Sequence, residues 1–219
     1  MNIYRYIDVN CERTQDGLWQ EPFNTLTGLA YFLVAYLLWQ MLKKRPRRPF
    51  LLKFMLGITI AIGVGSMLFH STARMWAALL DSVPIAIFAA VYMYALMRHI
   101  LNLRWWGILL VMLVFIAANF AFKYFVIRAA DGYISILPTL GFIALTTIYM
   151  WLSKNPSRKC FLLITLLSFI AVYWRIMDFE ICKDFPIGTH FIWHLVMAGV
   201  IYNLNAELIR RHHSVQLLV

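Results

Sequence analysis

The sequence predicts an all-α integral membrane bundle of seven transmembrane helices, and three observations carry that prediction. Of its 219 residues 62% are hydrophobic and only 14% charged, with a mean hydropathy of +0.71, whereas soluble domains are roughly 45–50% apolar. Apolar runs recur seven times along the chain, each of about 20 residues, enough to cross ~30 Å of hydrocarbon. Lys and Arg gather in the short segments between those runs. A net charge of +10 and a pI near 9.7 would suggest nucleic acid in a soluble protein, but here membrane topology accounts for the cations and no nucleic-acid partner is expected. The implied organisation is a polar amino-terminal segment over 1–23, a bundle over 24–210 and a short tail over 211–219.

Taken in order, the first span is expected at Asn24–Leu42 and is ended by Lys43-Lys44-Arg45-Pro46-Arg47-Arg48-Pro49, where the prolines cannot continue a helix. The second is expected at Leu51–His70. The third, Ala77–Met97, carries Pro84 early, and the fifth, Tyr133–Leu152, carries Pro138; bundles tolerate such kinks where neighbours satisfy the freed carbonyl. The fourth, sixth and seventh are expected at Trp105–Phe122, Cys160–Met177 and Gly188–Leu208. Met1 to Phe23 is polar, so no cleavable signal is expected. No internal repeat stands out, and His212-His213 reads as a solvated end.

Loop charges orient the bundle. One set of alternate loops holds Lys43, Lys44, Arg45, Arg47, Arg48, Lys53, Arg98, Arg104, Lys154, Arg158, Lys159, Arg210 and Arg211, thirteen in all. The other holds Arg5, Arg13, Arg74, Lys123, Arg128, Arg175 and Lys183, seven. The positive-inside rule therefore places the amino terminus outside and the carboxyl terminus in the cytoplasm. Cys11 and Cys182 fall on the oxidising side and Cys160 at a cytoplasmic end. A Cys11–Cys182 disulfide is the expectation, two free thiols the alternative.

Polar groups inside spans are costly and need a reason. His190 and His194 are four residues apart, which puts both imidazoles on one helix face about 6 Å apart along the axis. The residues between them are Phe, Ile and Trp, so this is not the H-E-x-x-H pattern and supplies no general base. His70 ends the second span, Ser66 lies one turn below it, and Asp81 opens the third. All five fall at similar depth near the outer face. Three neutral imidazoles with an open fourth position describe a catalytic zinc site, where water becomes a nucleophile near neutral pH. Asp81 could then handle its proton and Ser66 could donate to a developing oxyanion. Taken singly, each His reads as an interfacial residue, Asp81 as a helix cap and Ser66 as packing. Spacing alone leaves both readings open.

In sequence order, Gly63-x-Gly65-Ser66-x-x-Phe69-His70, Leu79-Leu80-Asp81-x-x-Pro84 and His190-x-x-x-His194 resemble the alkaline ceramidase family, which belongs to a wider group of seven-span hydrolases that includes the adiponectin receptors. The resemblance covers essentially the whole chain, including Cys11-Glu12 and Glu21-Pro22-x-Asn24-Thr25. It implies a zinc-dependent amidase that cleaves ceramide, a membrane lipid, to a sphingoid base and a fatty acid. His70, His190 and His194 match the zinc ligands, Asp81 the acid/base carboxylate, Ser66 the oxyanion-side serine, and Cys11 with Cys182 the disulfide.

Two departures qualify the match. Eukaryotic members share an Asp-Trp-Cys-Glu-Glu-Asn stretch that helps bind calcium, whereas this chain reads Asp8-Val9-Asn10-Cys11-Glu12-Arg13. Asp8, Glu12 and Glu21 are the candidate calcium ligands that remain; with Asp16 they also read as a solvated, translocated acidic segment. Asp81 is followed by Ser82-Val83-Pro84, without the second acidic residue often found in eukaryotic relatives. Three rivals stay open at this level: a hydrolase of another lipid amide or ester, a receptor or sensor with a structural metal, and a haem-binding electron carrier.

Overall fold

A backbone surrounded by hydrocarbon must satisfy its N–H and C=O groups within its own segment, so the apolar runs fold as helices. The computed structural model describes residues 2–125 and 136–216. The first run forms α1 (Pro22–Thr27) and α2 (Leu29–Lys43). It is followed by α3 (Phe50–Thr72), α4 (Met75–Ala95) with a π-helical turn at Leu96–Ile100, α5 (Trp105–Phe125), α6 (Leu137–Leu152), α7 (Arg158–Glu180) and α8 (His190–Gln216). Among the described residues six stretches are long and apolar enough to cross a membrane, and Leu137–Leu152 is a shorter apolar helix. Among the described residues each of the seven expected spans therefore corresponds to helix.

The differences from the expected spans have local causes. The first span breaks at Gly28, where a β-carbon would lie 2.7 Å from Met67 Cγ of α3. Pro138 does not kink a helix as expected; it occupies the first turn of α6, where its missing N–H is one of the unpaired donors in any case. Pro84 lies inside α4, which continues past it. Tyr133, the expected start of the fifth span, and Arg128 lie outside the described residues, as do residues 217–219 of the tail and the side chains of His212 and His213.

The helices pack as α4 on α3, α3 on α2, α2 on α8, α8 on α7, α7 on α6 and α6 on α5, while the π-turn after α4 reaches α8 and α5. Between them sits a core that includes Leu38, Leu42, Met55, Ile62, Phe161, Ile164 and Leu208. Most of the remaining apolar surface faces outward, as at Leu109, Leu113 and Phe120 of α5. That arrangement suits a bundle whose solvent is lipid rather than water.

The amino-terminal segment differs most from expectation. It lies across the helix ends, with Ile7 N–H donating to the Ala73 carbonyl and Met75 and Trp76 N–H donating to the carbonyls of Arg5 and Ile3. Asp8 and Asp16 are exposed as expected of a solvated strap, but Asn10, Cys11, Glu12, Arg13 and Glu21 are buried. The expected Cys11–Cys182 disulfide is present and joins this segment to the α7–α8 loop, with Cα atoms 5.6 Å apart.

Candidate metal centre

The three histidines predicted from spacing meet. His70 closes α3, while His190 and His194 occupy the first turns of α8, and all three rings are buried. Ring centroids are 5.0 Å apart for His70 and His190, 4.7 Å for His70 and His194, and 4.6 Å for His190 and His194. One ligand atom from each ring lies within 4.8 Å of the others. Crowding three imidazoles in a dry site is unfavourable unless something answers their lone pairs. The group could hold a metal ion.

Two rings are aimed from behind. His70 Nδ1 lies 2.6 Å from Glu21 Oε2, and a carboxylate there fixes the proton on Nδ1 and leaves Nε2 as the free lone pair. His194 Nδ1 lies 3.1 Å from the Asn24 carbonyl oxygen and 3.0 Å from Thr27 Oγ1, with the same consequence. His190 is held through its backbone. Its N–H and that of Thr189 donate to Asp178 Oδ1 at 2.9 and 2.7 Å, so a carboxylate from α7 caps the start of α8. Among the described residues His190 Nδ1 and Ser66 Oγ are buried without a hydrogen-bond partner. Orphaned polar atoms beside three imidazoles fit a site built to receive a metal and a polar substrate group.

Ser66 and Asp81 are brought to the same level by Gly65. A β-carbon on Gly65 would collide with the Leu80 carbonyl oxygen and lie 2.9 Å from Asp81 Cα, so only glycine lets α3 and α4 close this far. Gly188 does similar work at the other side of the site: its φ of +62° suits glycine, and a β-carbon there would strike the Asp178 carboxylate and sit 2.6 Å from Cys11 Cβ.

The three candidate calcium ligands do not converge on one point. Asp8 is exposed and accepts from Tyr6 Oη at 3.3 Å. Glu12 accepts from the N–H groups of Phe23 and Asn24 at 2.7 and 2.9 Å, capping α1; burial pushes its carboxyl above the usual range against the pull of those amides. Glu21 faces His70. Burial works against its charge, but hydrogen bonds from His70, Arg13 and Asn24 prevail and hold its carboxyl below the usual range.

Sequence reasoning missed five residues that support the site: Asn10, Arg13, Thr27, Arg175 and Asp178. Arg13 and Arg175 were counted as outer-loop cations. Instead Arg13 pairs with Glu21 at 2.6 Å, and Arg175 donates to the Val9 carbonyl at 3.2 Å and lies 3.7 Å from Asp178. Asp178 is fully buried and also accepts from Cys11 N–H at 3.0 Å. A signal existed for Asp178 and Arg175, since ionisable residues at the end of an apolar run need partners.

No curated protein shows significant similarity to the chain. The family model described as Ceramidase matches residues 16–215, a stretch that holds all three histidines, Ser66, Asp81 and Glu21. With nearly its whole length matched, the chain belongs to the Ceramidase family.

Proposed function

We propose that the protein is a zinc-dependent intramembrane amidohydrolase that cleaves ceramide, or a similar long-chain N-acyl lipid, to a fatty acid and a sphingoid amine. The observation that carries this reading is the buried triad His70, His190 and His194, with one ligand atom from each ring inside a common 4.8 Å, in a chain of the Ceramidase family. Three imidazoles with room for a fourth ligand are a zinc donor set; they match neither the thiolates of a structural site nor the oxygens that calcium prefers. They also share one side of the bundle, which does not suit axial ligation of a haem from opposite faces.

Zinc held by His70, His190 and His194 would supply Lewis acidity for activating water and polarising the scissile carbonyl. The chain's own residues do the rest. Asp81 takes a proton from the attacking water and returns it to the leaving nitrogen as the C–N bond breaks. Ser66 Oγ, buried and without a partner, donates to the carbonyl oxygen as negative charge builds on it. Glu21, Asn24 and Thr27 hold the imidazoles of His70 and His194 in register. The lipid enters laterally, its chains among the apolar helices and its amide at the triad. Support for that route comes from α4, which packs chiefly on α3 and joins α5 and α8 mainly through its terminal π-turn.

The amino terminus lies outside, the carboxyl terminus in the cytoplasm, and the metal near the outer face. The uneven loop charge supports this orientation. Burial of Arg13 in an ion pair lowers the free positive charge on the outer side further. The test is metal analysis and lipid product analysis of the purified protein and of His190→Ala. Zinc in the wild type and its loss together with amide cleavage in the variant are expected; a variant that keeps both would overturn the reading. Products from ceramide, N-acyl amino acids and phospholipids identify the lipid class.

A further inference from the structure

Arg13 is the least expected residue in the molecule: a cation from a polar segment, with its side chain fully buried beside His70. A buried guanidinium must be matched donor by donor, and two of its three contacts lead to His70. Its Nε donates to Glu21 Oε1 at 2.6 Å, one terminal nitrogen to the Gly17 carbonyl at 3.0 Å, and the other to the His70 carbonyl at 2.8 Å. The His70 carbonyl belongs to the last turn of α3, where carbonyls lack helical partners.

Glu21 completes the arrangement. Its Oε1 faces Arg13, while Oε2 accepts from Asn10 Nδ2 and Asn24 Nδ2, both at 2.9 Å, and meets His70 Nδ1 at 2.6 Å. Asn10 Nδ2 is 3.5 Å from the same imidazole nitrogen, too far to displace the carboxylate. His70 is thus gripped twice, at its ring through Glu21 and at its backbone by Arg13 directly.

We propose that Arg13 and Glu21 are positioning residues for metal binding: Glu21 aims His70 Nε2 at the ion, and Arg13, the cation within the acidic pocket, holds Glu21 and the end of α3 in place. The inference rests on the metal-site reading above but not on the identity of the lipid. It gives Glu21 a role other than calcium ligation, because the oxygen a calcium ion would take is already bound to Arg13. The amino-terminal segment becomes part of the metal centre, tied to α8 by the Cys11–Cys182 bond.

The experiment compares zinc affinity, by chelator competition, and the visible ligand-field spectrum of the cobalt-substituted protein for the wild type, Glu21→Gln, Arg13→Met and the double variant. Partners behind a metal-bound histidine change affinity by about 10- to 100-fold. Glu21→Gln should therefore weaken zinc by about that factor and alter the cobalt spectrum. Arg13→Met should weaken zinc less, and the part of its effect transmitted through Glu21 should vanish in the Glu21→Gln background, leaving only what its direct bond to the His70 carbonyl contributes. The double variant leaves no buried charge unpaired, so it provides the comparison if either single variant fails to fold.

Wild-type zinc affinity and spectrum in Glu21→Gln, or in the double variant, would overturn the proposal. So would full additivity of the two single effects, or calcium raising zinc affinity in the wild type but not in Glu21→Gln. A wild type without zinc affinity would overturn the metal-site reading itself, a result distinct from loss of coupling in a protein that binds zinc.

Discussion

Replacing Gly65 by alanine adds one methyl group at the closest approach of α3 and α4, one residue from Ser66 and opposite Asp81. The new carbon would lie 2.6 Å from the Leu80 carbonyl carbon and 2.9 Å from Asp81 Cα, where ordinary contact begins at 3.4 Å. Both obstacles are backbone, so no side chain can swing away; α4 must retreat by about 0.8 Å or more, an overpacking cost of about 1–3 kcal/mol. In a chain of this size that lowers Tm by about 2–10 °C. On the roles proposed above, a displacement near 1 Å also separates Asp81 from the histidines and should lower turnover about 100-fold. Gly57→Ala is the internal control. It lies on the same helix with nothing within 4 Å of a new β-carbon, so it should leave turnover unchanged and raise stability by about 0.5–1 kcal/mol through helix propensity. The assay is thermal unfolding in detergent alongside ceramide hydrolysis. Gly65→Ala with wild-type Tm and turnover would refute the claim that helix contact at this level sets the site.

Asp81→Asn should keep zinc and lose about 10²–10⁴-fold in kcat, whereas Ser66→Ala should lose about 10²–10³-fold; metal analysis beside kinetics checks both, and full turnover in Asp81→Asn would refute its acid/base role. Asp178→Ala strands three buried N–H groups, those of Cys11, Thr189 and His190, at about 1–3 kcal/mol for each left unsatisfied. It should therefore unfold several degrees lower and lose zinc more readily, and an unchanged Tm would count against the cap. Removing the disulfide by Cys11→Ser with Cys182→Ser frees a crosslink that spans 171 residues of sequence and should cost about 2–5 kcal/mol, read as a lower Tm matched by reducing the wild type.

The spans were legible in the sequence because lipid imposes a simple rule, an apolar run long enough to cross, and among the described residues each of the seven corresponds to helix. The residues that break the rule were legible for the same reason. His70, His190 and His194 stood out as polar groups in apolar runs, and the structure brings them within 5.0 Å of one another, ring centre to ring centre. The break at Gly28 and the place of Pro138 in the first turn of α6 were not legible, since each depends on a local neighbour rather than on hydropathy.

Composition and order along the chain determined by themselves that this is a membrane bundle, and they singled out the three histidines and the two cysteines that the structure brings together. Tertiary structure alone decided what stands behind those side chains. Glu21 reaches His70 across 49 residues of sequence, and Asp178 reaches Cys11 across 167. Arg13 looked like one more loop cation until the fold buried it against both Glu21 and the end of α3. The physical reason is that hydropathy is a property of a segment, whereas aiming an imidazole depends on distant atoms that meet only when the helices close.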